Sequence, residues 1–124
     1  MIITGNRNSI TDEYLGEIRD ISIQSDPMRF RENLKRLGEL FAYEISKTLR
    51  YEEKAVTTPL GVAKVPRMVQ QPVLATILRA GLPMHEGMLR LFDRAESCFI
   101  SAYRKYTADL SFAIEFEYMS SPSL

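Results

Sequence analysis

With 124 residues, 45% hydrophobic and 26% charged, the chain is long enough for one compact core and has the composition of an ordinary globular protein. Its 16 basic side chains balance 16 acidic ones, which excludes a broad attraction to nucleic acid or to an anionic membrane, so any anion site has to be local. The single Cys98 excludes an intramolecular disulfide and no spacing suits a zinc site. Without a signal peptide or a membrane-length apolar run, a cytoplasmic setting with no membrane and no nucleic-acid partner is expected.

From Ser9 to Asp20, the residues Ile10, Tyr14, Leu15, Ile18 and, just beyond, Ile21 recur at helical spacing. Ser9 or Thr11 is available as N-cap, and Asp12 and Glu13 suit the first turn of a short amphipathic helix. The next helix is predicted from Asp26 as N-cap and Pro27 at the first helical position, with Phe30, Leu34, Leu37, Phe41 and Ile45 as its apolar stripe. Glu32 with Arg36 and Lys35 with Glu39 stand one turn apart on a face read as solvated. These helices make up a helical region over about residues 9–50.

Between about residues 54 and 65 the pattern changes to short strands, Ala55-Val56-Thr57 and Gly61-Val62-Ala63, around Thr58-Pro59-Leu60-Gly61, where proline second and glycine fourth suit a type I turn. The hairpin, followed by Pro66, reads either as a projecting arm or as a simple edge hairpin. Val73-Leu74-Ala75-Thr76-Ile77-Leu78 is a continuous apolar run, expected as a strand buried on both faces. Arg79-Ala80-Gly81 ends it, Pro83 opens a helix with Met84, Met88, Leu91 and Phe92, and Cys98 to Tyr103 forms a second strand. This is a βαβ unit, with a right-handed crossover expected. Last, Phe112, Ile114, Phe116 and Tyr118 alternate with Ala113, Glu115, Glu117 and Met119, as in a strand with one wet face. The core thus spans about residues 73–119.

In an open α/β sheet, ligands bind beyond the carboxyl ends of the strands, where helix N-termini present free amides. Arg79 and Gly81 flank the turn after the first buried strand, and Arg104 follows the second. A guanidinium fork pairs well with phosphate oxygens, and a glycine lets the backbone approach a ligand; a strand-end arginine is also a common surface salt-bridge partner. His85 and Glu86 sit in the first turn of the following helix, where a surface or capping contact is the simpler reading, with a supporting role at the site as the alternative. Cys98 reads as a small buried hydrophobe, and Tyr103 and Tyr106 as packing aromatics.

The segment Thr76-Ile77-Leu78-Arg79-Ala80-Gly81-Leu82-Pro83-Met84 is similar to the Ile-Leu-Arg-Ala-Gly-Leu signature of uracil phosphoribosyltransferases, and Ala102-Tyr103-Arg104 resembles that family's second arginine segment. Arg19-Asp20, Phe30-Arg31, Arg36-Leu37 and Phe41-Ala42-Tyr43-Glu44 resemble the family's N-terminal helices, and Thr57-Thr58-Pro59-Leu60-Gly61 its hairpin arm. The matches run in family order from about residue 19 to residue 104.

The resemblance implies an α/β, Rossmann-like phosphoribosyltransferase fold with a parallel sheet, N-terminal helices and a hairpin arm used in dimer contacts. It implies formation of UMP and diphosphate from uracil and 5-phospho-alpha-D-ribose 1-diphosphate (PRPP), with magnesium (Mg2+) accompanying PRPP. Arg79, Ala80, Gly81 and Arg104 would bind the PRPP phosphates, the turn at Arg79 resembling the superfamily's pyrophosphate loop. No residue present is assigned a catalytic or metal-ligating role.

Beyond the strand near Tyr118, family members continue into another buried strand, an Asp-Pro-Met-Leu-Ala-Thr-Gly-Gly-Ser type loop for the ribose 5-phosphate and a uracil-reading segment. The present sequence reaches Ser120-Ser121-Pro122-Ser123-Leu124 without them, and its Thr4-Gly5 dipeptide has no buried strand before it. Lys105-Tyr106-Thr107 also departs from the acidic residues many members carry after the second arginine. The expectation is therefore the N-terminal part of one phosphoribosyltransferase domain, incomplete and inactive alone. The alternatives are a non-catalytic oligomerisation or regulatory module, or a phosphoribosyltransferase for another base.

Overall fold

The computed structural model describes residues 8–106, 108–109 and 111–121. Thr4-Gly5, Thr107, the last three residues and the side chains of Phe112 and Glu117 lie outside what it describes.

Helix α1 (Ile10–Arg19) starts at Ser9, whose hydroxyl accepts from Thr11 N while Asp12 accepts from the Ser9 N–H, a capping box. The expected apolar stripe is only partly its inner face: Thr11 is buried and Tyr14, Leu15 and Ile18 are half-buried, whereas Ile10 and, beyond the helix, Ile21 are exposed. Helix α2 (Pro27–Ser46) is capped by Asp26, which accepts from Met28 N and Arg29 N at 3.1 Å each. α1 docks on α2 through polar contacts. Buried Asn33 donates to Glu17 at 2.7 Å and accepts from Arg36 at 2.9 Å, and Arg36 lies over the Tyr14 ring. The Asn33 amide, then Arg29, hold the Glu17 carboxyl below its ordinary value.

On α2 the buried residues are Asn33, Leu37, Gly38 and Ala42, while Phe30, Leu34 and Phe41 are only half-buried and Ile45 is exposed. Close packing against the third helix, α3 (Leu82–Leu91), accounts for the difference. A Cβ on Gly38 would run into Met84 O, and one on Gly87 into Lys35 O, so the two backbones meet where small residues permit it. The charged residues beside this seam are not simply solvated. Lys35 pairs with Glu32 at 3.2 Å and with Glu86 of α3 at 3.4 Å, and Arg90 of α3 reaches Glu39 at 2.8 Å. These carboxylates raise both cations above their ordinary values, Glu32 first for Lys35 and Glu39 for Arg90.

Strands β1 (Tyr51–Thr58) and β2 (Gly61–Met68) form a separate antiparallel sheet in register from Tyr51↔Met68 to Thr58↔Gly61. The hairpin is longer than expected at both ends and takes in Pro66. A two-stranded ribbon leaves every outer N–H unpaired, so proline costs it no ladder bond when facing outward. Pro59-Leu60 makes the connection; Thr58 Oγ1 donates to Gly61 O at 2.7 Å, and Gly61 has φ +136°, a conformation that favours glycine. Among the described residues no other helix or strand contacts the ribbon's backbone, and only Met68 at its base packs on the core.

The second sheet has the order β3-β4-β5, with β3 (Val73–Leu78), β4 (Glu96–Tyr106) and β5 (Phe112–Ser120). β3 and β4 are parallel, from Val73↔Glu96 to Leu78↔Ser101, with α3 as the crossover; β5 is antiparallel to β4, which makes the sheet mixed. The expectation that β3 is buried on both faces is corrected. Leu74 and Thr76 are buried, but Val73, Ala75 and Ile77 are exposed, because β3 lies at the sheet's edge and α3 covers one face only. Nor do the described side chains of β5 form a dry face: Ile114, Phe116, Tyr118 and Met119 are all exposed. Tyr103 and Tyr106 are exposed, and Cys98 is half-buried. Ala42, Leu74 and Phe92 form the core cluster, with Leu49, Met68, Met88, Leu89 and Ala95 around it, while Leu91 of the expected α3 stripe points outward. The α/β architecture is that of an incomplete Rossmann-like sheet.

Candidate functional site

Because β3 and β4 run parallel and end their pairing at Leu78↔Ser101, the carboxyl end of β3 lies beside the middle of β4. β4 continues to Tyr106 and overhangs β3, so Arg104 lies within the strand, paired with Ile114 of β5, and not after it as expected. Three residues of strand past Ser101 place Arg104 about 10 Å beyond the end of the β3 pairing. Arg79 begins the turn directly after Leu78. Both arginines therefore lie toward the carboxyl end of the β3–β4 pair, a region called the notch below, with the β3–α3 turn at its base and the overhanging part of β4 beside it.

The turn is pinned by its own backbone. Gly81 N donates to Ile77 O at 3.0 Å, Leu82 N to Arg79 O at 3.1 Å and His85 N to Gly81 O at 3.0 Å. The expectation of free helix N-terminal amides is thus corrected for Gly81 and Leu82, whose N–H groups are used inside the turn. Ala80 N–H has no hydrogen bond among the described residues. The role of Gly81 also changes: a Cβ there would lie 2.8 Å from Ile77 O and 3.4 Å from Thr76 Cγ2, so the glycine makes room for the chain's own backbone. The Leu78–Arg79 peptide is cis.

Arg79 and Ala80 are exposed and Gly81 is half-buried. No hydrogen bond or ion pair engages the Arg79 guanidinium among the described residues. Arg104 is exposed and shares its sheet face with Ala102 and Tyr106. Lys105 lies at 3.9 Å from Glu115 across the β4–β5 pair. The notch is therefore cationic, with donors and no nearby carboxylate cluster. Among the described residues no group of three or more His, Cys, Asp or Glu side chains gathers.

The sequence reading of His85 as a surface residue is overturned. It is 5% exposed, its Nε2 shares a 3.0 Å hydrogen bond with Ser97 Oγ of β4, and its ring lies 5.0 Å from that of Phe99, tilted by 54°. Loss of water around the imidazole lowers its pKa from the ordinary 6.5. The signal for this was a histidine three residues after the first helical residue on the same side as Met88 and Phe92, but nothing in the sequence located Ser97. Glu86, by contrast, is the surface residue expected, paired with Lys35. A concavity of about 510 Å³ lies at the hairpin base, where Lys54, Arg67, Arg94 and Gln71 line it.

Among the described residues no helix is long and apolar enough to cross a membrane.

The model of the uracil phosphoribosyltransferase family matches residues 6–116. Over all 124 residues the chain is 48% identical to the uracil phosphoribosyltransferase of Porphyromonas gingivalis, covering 57% of that protein. It is 37% identical over 114 residues to that of Methanococcus maripaludis, covering 90% of this chain and 48% of the relative. Among solved structures, the AQ2163 protein from Aquifex aeolicus is similar at a TM-score of 0.77 and 27% identity, with 93% of this chain and 53% of that chain covered. The fold and this structural likeness define a phosphoribosyltransferase-like α/β chain. It belongs to the uracil phosphoribosyltransferase family, and it spans about half the length of the curated relatives it matches.

Proposed function

We propose that the notch is the leaving-group half of a uracil phosphoribosyltransferase site, in an enzyme that forms UMP and diphosphate from uracil and PRPP. In such a transfer the bond between the ribosyl carbon and the diphosphate breaks as a bond to a uracil ring nitrogen forms. Negative charge grows on the departing diphosphate, so donors aimed at it lower the barrier. The observation that carries the reading is the pairing of an uncommitted Arg79 guanidinium and the Ala80 N–H with Arg104 at the carboxyl end of parallel strands. Arg79 would hold one phosphate group bidentately, Ala80 N–H would donate to a neighbouring oxygen, and Arg104 would meet the diphosphate from the β4 side. Gly81 shapes the turn, its own N–H being used on Ile77 O. Magnesium would belong to the substrate, arriving on the diphosphate of PRPP.

The sequence contains no Asp followed by an Ala-Thr-Gly loop, the part that family resemblance assigns to the ribose 5-phosphate. The purified 124-residue chain is accordingly expected to bind inorganic pyrophosphate while forming no UMP from uracil and PRPP. UMP above a no-protein control, lost on Arg104→Ala, would overturn that division of labour.

We further propose that the hairpin is a dimerisation arm. Its isolation from the other elements and the full exposure of Leu60 at its tip support this. Deleting residues 57–62 should halve the mass seen by light scattering with helical circular dichroism retained; an unchanged mass would make it an ordinary edge hairpin.

A further inference from the structure

His85 is buried between the helix that follows the Arg79 turn and the strand that carries Arg104. Its main-chain N–H closes on Gly81 O at 3.0 Å, so the residue is part of the hydrogen-bond chain that shapes the turn. Its side chain leaves that helix and reaches Ser97 of β4 at 3.0 Å, with the ring against Phe99. Both contacts fall in the paired part of β4, since Ser97 is in register with Leu74 and Phe99 with Thr76. A buried imidazole with one polar partner across an interface holds two elements in one relative position, because sliding either leaves a desolvated nitrogen without a partner.

The geometry points to His85 as a positioning residue for the phosphate notch: through Ser97 it fixes the β3–α3 turn bearing Arg79 against the strand bearing Arg104. This rests on the leaving-group reading of the notch. His85 touches no ligand in this role. It sets the spacing at which one diphosphate meets both arginines, and misplacing either donor loses part of a charge-assisted hydrogen bond.

The test is calorimetric titration of the full 124-residue chain with inorganic pyrophosphate, alongside thermal melting. Ser97→Ala removes the partner with little change of volume, His85→Leu removes the imidazole, and His85→Gln keeps an amide nitrogen able to reach Ser97. Loss of one neutral hydrogen bond corresponds to roughly two- to tenfold. Ser97→Ala and His85→Leu should weaken pyrophosphate binding by about that factor, with His85→Gln close to wild type. If His85→Leu does not fold, Ser97→Ala with His85→Gln decides. Wild-type affinity in Ser97→Ala while Arg79→Ala binds weakly would overturn the positioning role and leave the notch intact. His85→Gln as impaired as Ser97→Ala would also overturn it. Unchanged affinity in Arg79→Ala would remove the notch itself and the positioning role with it.

Discussion

On the α3 side of the β3–β4–β5 sheet, Leu74 and Thr76 are buried and Ser97 meets His85. On the other side, alternation and register bring together Val73, Ile77, Phe116, Ile114 and Met119, all exposed, with Phe116 at 74%. The bare face is the more apolar of the two, so the contrast comes from what lies over them. Packing of α3 determines which strand residues form the core, and the same helix, through its first turn, shapes the Arg79 notch at the end of the covered face. Arg79 thus follows the covered face, whereas Arg104, in register with Ile114, lies on the bare one.

The comparison breaks most readily at Leu74. Truncation of a buried leucine costs about 2–5 kcal/mol, so Leu74→Ala should lower the denaturation free energy by that order, measured in urea. A cost under about 1 kcal/mol would mean that α3 does not seal this face.

Acid should separate the faces next. The His85 pKa is lowered in the fold by desolvation, with no ionic neighbour contributing. The unfolded chain thus takes up the proton first. Stability from this group is full above its ordinary 6.5 and is lost as pH falls from there through the lowered folded-state value. The difference in melting temperature between wild type and His85→Gln should shrink or reverse across that window. A difference that stays constant with pH would place the imidazole in water.

The smallest effect is expected on the bare face. Ile77 is 61% exposed, so Ile77→Ala should change stability by no more than about 0.5 kcal/mol. A loss comparable to that of Leu74→Ala would show that something covers this face in solution.

Much of the fold could be read from local chemistry. Ser9 and Asp26 capped the helices as their side chains allow, and the Asp26-Pro27 start is observed. The order of strand, helix and strand through residues 73–106 also followed from apolar runs and the Arg79-Ala80-Gly81 break. What was not legible depended on partners distant in sequence. The apolar stripe of α2 did not reveal that Gly38 faces Gly87, since a glycine carries no periodic signal and its value here is the absence of a Cβ. The continuous run of β3 could not disclose that only one face has a helix over it. At the site, Arg79 and Arg104 were found as strand-end cations, but the inward use of the Gly81 and Leu82 amides is a property of the turn's geometry. The His85–Ser97 bond joins residues on separate elements, and no pattern on either one marks it.

The most direct measurement is the affinity of the 124-residue chain for inorganic pyrophosphate, compared with Arg79→Ala and Arg104→Ala by calorimetry at fixed low salt. Each charge-assisted hydrogen bond is worth about 1.5–3 kcal/mol, so each variant should bind roughly tenfold to 150-fold more weakly, with melting temperatures unchanged because both side chains are exposed. Wild-type affinity in both variants would contradict the assignment of the notch as a diphosphate site.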